Sequence, residues 1–121
     1  MSLVGEHCEA CRKGAPTVPL DEQETLLREL PEWAVVEVEG TPHLTKSYRF
    51  KDFSGALAFT QRVGEAADTE GHHPALLTEW GKTTVSWWTH AIGGLHRNDF
   101  IMAARSDDLY TSRESGVGSP E

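Results

Sequence analysis

The chain has 121 residues, 38% hydrophobic and 25% charged, with a formal net charge of −8. That length and balance fit one globular domain that can bury its own core, and the acidity argues against a nucleic-acid partner and against adhesion to anionic membrane. No apolar run approaches transmembrane length, and Met1 to His7 shows no basic stretch followed by an apolar one, so a cytoplasmic location is expected.

Residues 1–18 read as a flexible arm, because Gly5, Gly14 and Pro16 interrupt it and no apolar period runs through it. The arm holds Cys8 and Cys11 in a single Cys-x-x-Cys pair beside His7. A zinc ribbon needs a second pair and a redox motif needs a strand and helix around it, so these are read as reduced thiols. A first helix starts at Asp21, with Glu24 at capping-box spacing, and Pro31 ends it. Trp33 to Val38 reads as a strand, 39–42 as a turn, and His43 to Phe50 as the returning strand, with Leu44, Lys46, Tyr48 and Phe50 on one face. Asp52 caps a longer helix whose apolar face is Phe53, Ala56, Leu57, Phe59, Thr60 and Val63, and Gly71 ends it.

Ala75 to Trp80 and Thr83 to Thr89 form two further strands around a turn at Gly81-Lys82. A last helix runs from His96 to about Tyr110, and residues 111–121 read as a disordered tail. The order α-β-β-α-β-β-α predicts an α+β domain over residues 19–110: a four-stranded antiparallel sheet with three helices packed on one face. The other face needs cover or a partner, which makes a homo-oligomer plausible.

Chemistry concentrates between Gly71 and Asp99, where three of the six histidines fall: His72, His73 and His90. Pro74 holds His73 in extended backbone, so the adjacent His72 and His73 point to opposite sides and have different jobs. Alternation along the fourth strand puts Ser86, Trp88 and His90 on one face and Val85, Trp87 and Thr89 on the other. His7, His43 and His96 are read as ordinary polar histidines, with His96 capping the last helix; Asp99 reads equally as a first-turn acid. Three histidines and an aspartate could hold a metal, but neighbouring histidines that diverge rarely share one ion. Metal-free acid–base chemistry ranks above it: imidazole accepts one proton and imidazolium delivers another near neutral pH. Elimination of water from a heterocycle needs those two transfers.

The run Asp68-x-x-x-His72-His73-Pro74, then Trp80, His90 and Asp99, resembles the signature of the pterin-4a-carbinolamine dehydratases, with five residues between Pro74 and Trp80, nine before His90 and eight before Asp99. Leu30-Pro31-Glu32-Trp33, Phe50-Lys51-Asp52-Phe53 and Gly94 to Asp99 resemble family segments in the same order. The resemblance implies a dimer or tetramer that converts 4a-hydroxytetrahydropterin to quinonoid dihydropterin, with no metal or cofactor, and so recycles the pterin used by aromatic amino acid hydroxylases. It implies an acid–base pair in His72 and His90, an orienting residue in His73, and substrate contacts around Gly71, Trp88, Thr89 and Ala91, with Trp33 and Asp99 near the pocket. Gly71 stands where some members carry Asp, and Trp88-Thr89-His90-Ala91 where some carry Ser-Thr-His-Glu. Two other readings follow from the family: a non-catalytic dimerisation module of transcription, and action on another pterin, such as one in molybdenum cofactor metabolism.

Overall fold

The computed structural model describes residues 3–5, 17–89 and 92–114. Three helices, α1 (Leu20–Leu27), α2 (Phe53–Glu70) and α3 (Arg97–Glu114), accompany four strands, β1 (Ala34–Val38), β2 (Thr41–Arg49), β3 (Ala75–Glu79) and β4 (Lys82–Trp87). All pairings are antiparallel and the order across the sheet is β1-β2-β4-β3. The α+β architecture is the one expected.

The register decides which side chains meet the helices. Leu44 pairs with Trp87, Lys46 with Val85 and Tyr48 with Thr83, so alternate residues of β2 and β4 look the same way. Leu44, Tyr48, Thr83, Val85 and Trp87 are buried there against Phe59 and Val63 of α2 and Phe100 and Ile101 of α3. Each such large side chain contributes about 1.5–3 kcal/mol on leaving water. The opposite face carries no helix among the described residues. On it the strands are tied by hydroxyl pairs, Thr45 Oγ1 to Ser86 Oγ at 2.9 Å and Ser47 Oγ to Thr84 Oγ1 at 3.0 Å.

Several boundaries differ from expectation. α1 begins at Leu20 and Pro19 is its N-cap, with no side-chain capping bond. Asp21 lies inside the helix, where its Oδ1 accepts from the neighbouring Glu22 amide and closes no capping box. The helix ends at Leu27, before Pro31, because the following amides reach back only three residues: Arg28 to Thr25, Glu29 to Leu26 and Leu30 to Leu27. The strands are β1 from Ala34, β2 from Thr41, and β4 only to Trp87. α3 continues to Glu114, four residues past Tyr110, so the first part of the expected tail is helical; residues 115–121 lie outside the described residues. The arm is also less free than expected where it is described. Leu3, in a short 3₁₀ turn (Leu3–Gly5), is buried and packs with α3, and Val18 donates its amide to the Leu95 carbonyl at 2.9 Å. His7, Cys8 and Cys11 lie outside the described residues.

Candidate active site

The end of α2 delivers the first histidine. Asp52 Oδ1 accepts from the Gly55 amide at 2.9 Å and starts the helix as expected. At the other end Gly71 takes the left-handed conformation, φ 67°. Its amide bonds Asp68 O and the His72 amide bonds Ala67 O, the paired bonds of a Schellman cap. His72 is thus fixed through its own backbone before its side chain makes any contact. The chain then extends through Pro74 into β3, and the two histidines diverge as expected: His72 is buried, while the His73 side chain is 63% exposed.

The start of α3 supplies the partner. His96 is the residue before the helix, and its Nδ1 accepts from the Asn98 amide at 3.0 Å. Asp99 Oδ2 reaches back to the His96 amide at 2.9 Å, so the two close a reciprocal cap. Oδ2 also accepts from Thr89 Oγ1 at 2.8 Å, and Oδ1 meets His72 Nε2 at 2.6 Å. Asp99 is fully buried. A carboxylate removed from water is costly unless its lone pairs are filled, and here three donors from three segments fill them.

That arrangement fixes the histidine's tautomer. An ionised carboxylate only accepts, so the proton between Asp99 and His72 sits on Nε2. In neutral His72 the free lone pair is then on Nδ1, to which no described residue bonds. The imidazole also lies parallel to the Trp87 ring, 5.8 Å between centroids and 6° between planes, and Trp87 Nε1 donates to Ser106 Oγ at 3.3 Å. His72 is held by a cap, a carboxylate and an aromatic face together. His73 instead bonds the exposed Asp68 Oδ1 at 2.9 Å, a surface contact of small energetic weight.

The other expected site residues separate from this group. Trp33 is buried, but its Nε1 donates to both oxygens of Asp107, each at 3.2 Å, in a cluster with Lys46 Nζ at 2.8 Å and Tyr48 Oη at 2.6 Å from Oδ1. Burial, and then the bond to Asp107, push the Tyr48 phenol well above its usual pKa, so it stays a donor. Asp107 lies about 12 Å further along α3 than Asp99, at 1.5 Å per residue. Trp88 faces the helix-free side of the sheet, where its ring stacks on His43 at 3.9 Å and 4°. His90 and Ala91 lie outside the described residues. Among the described residues no three His, Cys, Asp or Glu side chains gather so as to hold a metal ion.

Sequence reasoning passed over His43 and Asp107. Asp107 carried no signal, because a mid-helix acid is ordinary; His43 would have stood out only once β2 was known to lie beside β4.

Comparison with known proteins bears on what this geometry serves. Residues 16–109 match the family described as pterin 4 alpha carbinolamine dehydratase. The chain belongs to that family. A relative from Microcystis aeruginosa is 54% identical over 113 residues, 93% of this chain and 97% of its own length. One from Gloeobacter violaceus is 59% identical over 109 residues, 90% of this chain and 94% of its own. Both carry the name pterin-4-alpha-carbinolamine dehydratase provisionally. A solved structure, the transcriptional coactivator/pterin dehydratase from Brucella melitensis, superposes with a TM-score of 0.70 at 29% identity, covering 78% of this chain and 98% of that one. In this chain His72 and His73 sit on two sides of one junction, with His72 tied to Asp99 and His73 to Asp68.

Proposed function

We propose that this dehydratase-family protein removes water from a 4a-hydroxytetrahydropterin to give the quinonoid dihydropterin. The observation that carries the proposal is the buried His72–Asp99 pair at 2.6 Å, whose geometry presents Nδ1 as a proton acceptor. In the reaction the C4a–O bond breaks, the hydroxyl leaves as water with one added proton, and a ring N–H gives up its proton. His72 is suited to take the ring proton, and Asp99 would steady the imidazolium that results. His90 is the assigned donor to the leaving hydroxyl, and His73 the group that orients the pterin. Gly71, Thr89 and Ala91 would supply backbone contacts. Neither transfer calls for a metal or a redox cofactor.

The natural setting proposed is cytoplasmic recycling of the pterin for an aromatic amino acid hydroxylase, by a homodimer or homotetramer. Stopped-flow dehydration of a 4a-hydroxytetrahydropterin tests the chemistry. His72→Ala and His90→Ala should each lower kcat by about 10²-fold or more. Full rate in either variant overturns its assignment, and a pterin of the molybdenum cofactor type turned over faster would redirect the substrate.

The double name of the Brucella melitensis relative favours one second reading, a dimerisation module in transcription. It would use helix or sheet surfaces, so a His72/His73/His90 triple-alanine protein should keep such binding.

A further inference from the structure

We infer that His43 is a positioning residue for the end of β4, acting through its ring stack on Trp88; as a role in turnover this rests on the dehydratase reading above. The ladder between β2 and β4 stops at Leu44↔Trp87, so Trp88 and Thr89 run past the last paired residues of the sheet. Three consecutive side chains hold that run, alternating between faces. Trp87 lies against the His72 ring on the helix side, Trp88 against the His43 ring on the open side, and Thr89 turns back to bond Asp99. Among the described residues, its backbone support beyond the ladder is the Thr89 amide to Gly94 O at 3.0 Å across an isolated bridge and the Ile92 amide to Thr89 O at 3.3 Å.

His43 is well placed to anchor its side of this clamp. It lies within β2 and pairs with Val36 of β1, so its backbone belongs to the regular part of the sheet. The two rings lie parallel, 3.9 Å between centroids and 4° between planes, and such a stack favours one placement of the Trp88 ring over others. Trp88 directly precedes Thr89, so freedom at Trp88 is freedom in the Thr89–Asp99 bond and, through Asp99, in the aim of His72. Burial lowers the His43 pKa below its ordinary value, partly opposed by the charge of Asp99.

The test uses the full-length protein with His43→Ala, His43→Phe, Trp88→Ala and the double alanine variant. Stopped-flow dehydration gives kcat and KM, and amide hydrogen exchange reads the Thr89 N–H. His43→Ala should lower kcat by about tenfold with KM changed by less than about twofold, since misaimed groups slow the chemistry rather than the binding. The Thr89 amide should exchange faster. His43→Phe keeps a flat ring and should recover most of both losses. The double variant should be no worse than Trp88→Ala, as expected of two residues acting as one unit. The inference falls if His43→Ala keeps wild-type kcat and exchange, if Phe rescues no better than Ala, or if the two losses multiply. It falls also if kcat drops only in step with a change in oligomeric state, which would make the stack an interface element. Should the wild-type protein dehydrate no pterin, the catalytic reading fails by itself, and exchange at Thr89 in the Ala and Phe variants still decides whether the stack holds the strand end.

Discussion

Asp99 does two things with one carboxylate, and its sequence position announced only one of them. A first-turn acid is expected at the start of any helix, and Asp99 does close the cap with His96. The bonds to His72 and Thr89 depend on two segments 27 and 10 residues away, which no local pattern reveals. Replacing it with Asn separates the electrostatic role from the steric one. The amide keeps the shape but offers one accepting oxygen and an N–H₂ that faces a donor. His72 must then shift its proton to Nδ1, which removes the free lone pair. Asp99→Asn should lower kcat by about 10²-fold, and the misplaced donor should cost about 1–3 kcal/mol of stability. Stopped-flow rates and urea unfolding measure the two effects. Wild-type kcat in this variant would mean that the tautomer is irrelevant to turnover.

At the scale of elements, α2 was the most legible part of the chain. Asp52, the spacing of Ala56, Phe59 and Val63, and Gly71 act within one helix, so sequence neighbours carry that signal, while Phe53 and Leu57 of the expected apolar face stay exposed. α1 was less so. Asp21 offers a cap, yet docking of Leu26 and Leu30 in the core sets where the chain must go, and the i→i+3 turns after Leu27 bring it to Trp33. Two glycines of α2 separate local cost from local gain. Gly71 has φ 67°, where a Cβ is strained. Gly64 sits within the helix, and a Cβ there meets nothing within 4 Å. Gly71→Ala should destabilise by about 1–2 kcal/mol, and its kcat should fall because the same cap aims His72. Gly64→Ala should stabilise by about 0.5–1 kcal/mol. Opposite shifts in the urea midpoint are the expected result; an unchanged or raised midpoint in Gly71→Ala would show that the cap does not govern this end of the helix.

At the scale of the whole molecule, both hairpins could be read from their turns, but the adjacency of β2 and β4 at the centre of the sheet could not. That pairing joins residues about 40 apart and is set by which faces the helices cover. It is also what puts His43 beside Trp88, so that contact follows from a pairing the sequence could not fix. The finished sheet leaves much apolar surface without cover. Val36 and Val38 on the edge strand β1, Phe53 and Leu57 on α2, and Leu77 and Trp80 around β3 are each more than 40% exposed. An edge strand with outward valines is a template for another chain, and the exposed apolar side chains of α2 and β3 offer further candidate faces. The protein should therefore sediment as a homo-oligomer, at a mass at least twice its 13.4 kDa chain. Val38→Lys on the edge strand and Leu57→Lys on α2 each place a charge on one candidate face without touching the His72–Asp99 group. The variant that lowers the mass identifies the face in use, because burying an unpaired lysine in an interface is costly. A wild-type protein that sediments at 13.4 kDa across the micromolar range would overturn self-association and leave those faces to a different partner.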